Sequence, residues 1–116
     1  MKRIFAAFFH SMRGLRAAFA TESAVRQELI LLAIGLILTP FIAMGIWQAV
    51  AMIGALLVIL AVELLNTAIE KLSDHVTPER HETIGYVKDL GSAAVFCALL
   101  LAGIVWLAAL YERVLG

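Results

Sequence analysis

Apolar runs separated by short charged stretches dominate the chain. Residues 29–62 contain no charged side chain, and neither do residues 90–110. One bilayer crossing takes about 20 apolar residues. The first run is therefore long enough for two crossings and the second for one. Pro40, Gly45, Trp47 and Gln48 interrupt the first run near its middle. They predict a turn at about 43–48, with Trp47 at an interfacial position. Three transmembrane helices are expected, near 26–44, 48–71 and 88–112, within one membrane domain spanning 1–116. Ahead of them, Phe5, Phe8, Phe9, Met12, Leu15 and Phe19 recur at helical spacing among basic residues, with Arg16 the one basic side chain on that face. This pattern in residues 1–20 predicts an amphipathic helix lying on the membrane surface. Thr77-Pro78-Glu79 predicts a helix start, with Thr as N-cap, Pro at the first helical position and Glu beside the positive end of the dipole. The expected fold class is an all-α membrane protein.

Composition supports the membrane reading. Of 116 residues, 63% are hydrophobic and 16% charged, whereas a soluble domain is about half apolar and a quarter charged. The formal net charge is zero, so bulk charge points to no nucleic-acid partner. Cys97 is the single cysteine, which excludes an internal disulfide and any CxxC motif. Residues 1–20 hold scattered arginines and no compact apolar core, so no cleavable signal peptide is expected.

Charge sets the expected orientation. Lys2, Arg3, Arg13, Arg16 and Arg26 precede the first span, and Lys71, Arg80 and Lys88 lie between the second and third. The turn near residue 45 has no cation, and Arg113 alone follows the third span. The positive-inside rule places the N-terminus and the 72–87 loop in the cytoplasm, with the C-terminus outside.

The stretch "LAVELLNTAIEKLSD", residues 60–74, puts Glu63, Asn66, Glu70 and Asp74 on one side of a helix at 100° per residue. Glu63 should lie about two turns inside the inner boundary, Glu70 at it and Asp74 just beyond. Polar contacts between helices would account for Asn66. They do not account for two glutamates on one face, since carboxylates at depth are costly without a cation. Thr21, Glu22, Arg26, Gln27 and Glu28 fall at the same level on one side, and Lys88, Asp89 and Ser92 on the other. The acidic residues Glu22, Glu28, Glu63, Glu70, Asp74 and Asp89 outnumber the local cations. A hard divalent ion such as Mg²⁺, bound by one or two carboxylates and substrate phosphates, would balance them. There is no P-loop, no kinase Gly-rich loop and no His-Arg-Asp motif. The residues alone thus describe a three-helix membrane protein with a cation and polyanion site at the inner face. A small cation- or proton-coupled transporter and a structural membrane adaptor are the competing readings. The clustering of acidic residues at one face, with none in the outer half of the first or second span, disfavours the transporter. An adaptor has no use for the Glu63/Asn66/Glu70 triplet with Lys88-Asp89.

The segments "AVELLNTAIEKLSD" and "KDLGSAAV", with "TESAVRQE" before the first span, resemble the prokaryotic integral-membrane diacylglycerol kinases. The likeness runs from about residue 3 to residue 106, and Arg26-Gln27-Glu28 resembles the Gram-negative branch. The resemblance implies a homotrimer of the bacterial inner membrane that moves the γ-phosphoryl of MgATP to diacylglycerol, giving phosphatidic acid. It implies Glu63 as catalytic base, also in contact with lipid, and Glu22 and Glu70 as Mg²⁺ ligands within the nucleotide site. Arg3, Asn66, Glu79, His81, Lys88 and Asp89 match nucleotide contacts. His10 and Arg80 belong to the same set, although the family pattern has aromatic residues there, and Thr21 replaces a usual asparagine. Arg16, Ala17, Ala18, Arg26, Gln27, Glu28, Ser92 and Trp106 match positions lining the lipid pocket. The Gram-positive branch phosphorylates undecaprenol, and the same catalytic residues would serve that alternative. Lys71 and Arg113 read as headgroup anchors.

Overall fold

A computed structural model describes residues 1–77, 79 and 81–116. Helices α1 (Lys2–Thr21), α2 (Ser23–Ile42), α3 (Ile46–Val76) and α4 (Glu82–Leu115) follow in order, with no strand among the described residues. The last three are long and apolar enough to cross a membrane. Exposed apolar side chains such as Ile37, Phe41, Ile104 and Leu107 give them a surface suited to lipid tails.

The helices outrun the expected spans. At 1.5 Å per residue α3 is about 45 Å long and α4 about 50 Å, against roughly 30 Å of hydrocarbon. Helical hydrogen bonding does not stop where the apolar run stops. The turn between α2 and α3 shrinks to residues 43–45, where the Ala43 amide donates to Thr39 O at 2.8 Å. The Gln48 side chain braces this turn. Its Oε1 accepts from the Met44 amide at 2.7 Å and its Nε2 donates to Glu112 on α4 at 3.0 Å.

The helix start expected at Thr77 is corrected. Thr77 instead closes α3, its amide donating to Ser73 O at 3.0 Å, with an extended backbone (φ −152°, ψ 116°). A residue before proline is disfavoured from the helical region, which ends α3 here. α4 starts at Glu82, capped by His81, whose Nδ1 accepts from the Thr83 amide at 3.2 Å. Glu82 rather than Glu79 then supplies the acidic residue of the first turn. Pro78, and Arg80 of the expected nucleotide set, lie outside the described residues.

α1 has no buried residue and packs on α2. The chain breaks helix at Glu22 (φ −115°, ψ 111°). Arg26 spans the break, donating to Phe19 O at 2.9 Å and Ala20 O at 3.4 Å, and so satisfies carbonyls at the end of α1.

α3 is the central helix, packed on α4 and on α2. Ala55, Leu56 and Ile59 meet Ala98 and Ala102 of α4, and the small residues let the backbones approach. Trp106 covers this core and donates from Nε1 to Met52 O at 3.0 Å. Gly35 of α2 is required by this packing. A Cβ there would strike Leu56 and sit 3.3 Å from the Trp106 ring. Gly35→Val should therefore cost about 1–3 kcal/mol through overpacking. Thermal unfolding in detergent should show a lowered Tm, whereas an unchanged Tm would mean that α2 can move outward freely.

Candidate functional site

The polar face of α3 is buried where it meets its neighbours. Glu63 and Asn66 are 8% and 7% exposed, and Glu70, one turn further on, is exposed. Asn66 Nδ2 donates to Glu70 Oε1 at 3.1 Å, which fixes one oxygen of that carboxylate. Asn66 Oδ1 is buried without a hydrogen-bond partner among the described residues. It lies against Gly91 of α4, where a Cβ would overlap it. Leaving a buried amide oxygen unpartnered costs about 1–3 kcal/mol.

Three further carboxylates lie near Glu63. Glu70 and Glu22 lie close enough for their charge to act on it, and its own charge acts on Glu28. Glu22 comes from the break between α1 and α2, Glu28 from α2, and Glu63 and Glu70 from α3. Of the six acidic residues expected at one level, these four lie near one another, while Asp74 is paired with Lys88 and Asp89 lines a separate cleft. Glu22 Oε1 is 2.9 Å from Lys71 Nζ. The sequence marks Lys71 only as an anchor and not as this partner, because it lies beside the stripe in the helical projection and Glu22 is 49 positions away in the chain.

A second group gathers where α3 passes into α4. Glu79, His81, Lys88 and Asp89, with Thr77, Ile84 and Gly85, line one cleft. Four of the expected nucleotide contacts are thereby brought together. Lys88 Nζ also holds Asp74 Oδ1 at 2.7 Å, linking the last turns of α3 to the first turns of α4.

Other expected residues are spread more widely. Arg3 and His10 are exposed on α1 and neither lines this cleft. His10 instead meets the Arg13 guanidinium one turn away. Arg16 and Ala17 are also exposed on α1, while Ala18 lines an apolar groove with Leu60, Leu64 and Thr67 of α3, at the level of Glu63. Gln27 and Ser92 are exposed, and Arg26 is engaged with the end of α1. Trp106 is bonded at Met52, about three turns of α3 away from Glu63, so a single chain does not bring it to the carboxylates. Gly91 was absent from the expected site. Its signal was its place inside "KDLGSAAV", but only the fold shows that Asn66 fills the space it leaves.

No cluster of three or more His, Cys, Asp or Glu side chains forms a ready metal cage among the described residues. The oxygen donors that could serve an ion are the carboxylates of Glu22 and Glu70, which both lie near Glu63. That set fits a hard cation such as Mg²⁺, which takes one or two carboxylates and completes its shell with water and phosphate oxygens.

The chain matches the family model of prokaryotic diacylglycerol kinases over residues 9–110. It is 44% identical over 97 residues to a diacylglycerol kinase of Haemophilus influenzae, covering 84% of this chain and 82% of that one. The Pseudomonas aeruginosa diacylglycerol kinase is 43% identical over 107 residues, with 91% and 86% covered. The Escherichia coli K12 diacylglycerol kinase is 37% identical over 111 residues, with 96% and 91% covered.

Proposed function

The chain belongs to the prokaryotic diacylglycerol kinase family, and from that premise we propose that it transfers the γ-phosphoryl group of ATP to the free hydroxyl of diacylglycerol. The observation that carries the site assignment is a buried carboxylate, Glu63, one step deeper than the hydrogen-bonded Asn66–Glu70 pair. A lipid hydroxyl reaches that depth from the bilayer, and a nucleotide reaches Glu70 from water. Glu63 takes the hydroxyl proton as the lipid oxygen bonds to the γ-phosphorus and the bond to the ADP oxygen breaks. Transfer of this kind depends mainly on positioning and charge neutralisation.

Glu22 and Glu70 would hold Mg²⁺, which would supply charge neutralisation for the phosphates of the nucleotide. Lys88 offsets phosphate charge from the start of α4, and Glu79, His81 and Asp89 line the cleft for the rest of the nucleotide. Arg3, His10 and Arg80 complete that set by resemblance. The Ala18 groove beside α3 receives an acyl chain, with Arg16, Ala17, Arg26, Gln27, Glu28, Ser92 and Trp106 along the lipid's path.

The protein works in this proposal as a homotrimer in the bacterial inner membrane. α1 lies on the cytoplasmic surface as an amphipathic helix, and the C-terminus is periplasmic. Support for association comes from the lone chain: Glu70 and Ser92 are exposed, and Arg3 and His10 do not line the α3–α4 cleft. Cross-linking in mild detergent should yield trimer, and active material that cross-links only as monomer would rule it out.

Gly91 should matter through Asn66. Gly91→Ala pushes the Asn66 amide and with it the Glu70 carboxylate. Small misplacements of this kind cost on the order of 10- to 100-fold in rate. A kcat within twofold of the parent would show that Asn66 does not aim Glu70.

The activity itself is tested by following label from γ-labelled ATP in mixed micelles. Labelled phosphatidic acid from diacylglycerol supports the proposal. Transfer to undecaprenol alone would assign the chain the other lipid alcohol, and transfer to neither would overturn the kinase reading.

A further inference from the structure

We infer that Lys71 is the resident counter-cation of Glu22 and that it sets how much divalent ion the site requires. Its ammonium lies 2.9 Å from Glu22 Oε1, an oxygen otherwise without a hydrogen-bond partner among the described residues. Glu70 and Asp74 also lie within reach of its charge. Among the described residues, the neighbouring cations Arg26 and Lys88 are engaged elsewhere, Arg26 on Phe19 O and Ala20 O and Lys88 on Asp74. Lys71 is therefore the cation placed on the carboxylate that the proposed function assigns to metal, and the inference rests on that assignment.

The geometry makes the two cations competitors. Mg²⁺ binds carboxylate oxygen at about 2.0–2.1 Å. An ammonium left at the same oxygen would add charge repulsion and occupy a direction needed by water or phosphate. The Lys71 side chain is 69% exposed, against 24% for Glu22, so the lysine is free to swing into water while Glu22 stays. Divalent-ion entry then costs the Lys71–Glu22 pair. The pair in turn keeps Glu22 neutralised and in place when no metal is bound.

Direct Mn²⁺ binding to the full-length protein in detergent, without nucleotide and read by the spin-resonance signal of free Mn²⁺, tests this. Lys71→Met should bind Mn²⁺ about two- to fivefold more tightly, the range expected from the worth of one largely exposed ion pair. Lys71→Arg, which keeps the charge, should bind like the parent. Unchanged or weaker binding in Lys71→Met, with binding lost in Glu22→Gln, would overturn the inference and leave Glu22 as a ligand. Parental binding in Glu22→Gln would overturn the ligand assignment and the inference with it. In Glu22→Gln, where binding is weak, Lys71→Met should add no tightening. A further gain in that double variant would show that Lys71 acts through some other group, against the inference.

Discussion

Glu63→Gln should lose at least about two orders of magnitude in turnover with diacylglycerol, the low end of what a general base contributes. The substitution keeps the size of the side chain and its capacity to hydrogen bond. It removes the basic oxygen. Glu63 is 8% exposed and lies near Glu22, Glu28 and Glu70, so the neutral amide should relieve repulsion and leave the fold intact. The loss would then belong to chemistry. Glu63→Asp should also be poor, because its carboxylate withdraws by one methylene from a hydroxyl that must be met within hydrogen-bond distance. Steady-state rates in mixed micelles at saturating lipid and MgATP decide the matter. Near-parental turnover in Glu63→Gln removes Glu63 as the base.

The second large effect is expected at the metal end. Glu22→Gln or Glu70→Gln should raise the Mg²⁺ concentration for half-maximal rate about tenfold or more and should lower the maximum. Even groups that only support a metal ligand cost 10- to 100-fold in affinity when removed. The two variants should differ in one respect. Glu70 is tied to Asn66, so Glu70→Gln also disturbs the amide beside Gly91. Glu22 is tied to Lys71, and Glu22→Gln leaves that ammonium without its partner. A Mg²⁺ titration that superimposes on the parent's would take the substituted residue out of the metal site.

The spans were legible because their signal is local. Uncharged runs at 29–62 and 90–110 have no other economical explanation, and α2, α3 and α4 contain them. Helix ends were less legible. Thr77-Pro78-Glu79 has the residue types of a helix start, yet the same proline ends the helix before it, and His81 takes over the capping. In the site, the stripe Glu63/Asn66/Glu70 could be read from helical periodicity alone. The Glu22–Lys71 pair and the Asn66–Gly91 contact could not, since both depend on how close two helices come. Trp106 shows the converse. Its motif position suggested lipid contact, but within one chain its indole is engaged by Met52 O beside Gly35.

In the proposed mechanism one acidic track has a metal end and a proton-accepting end. Binding of Mn²⁺·ATP to Glu63→Gln tests that division most directly, measured by calorimetry in detergent micelles on the preparation used for turnover. The dissociation constant should stay within about threefold of the parent's, beside a loss of turnover of about 10² or more. Nucleotide–metal affinity that falls in step with turnover would contradict it, and would place Glu63 in the binding of MgATP rather than in the transfer of the proton.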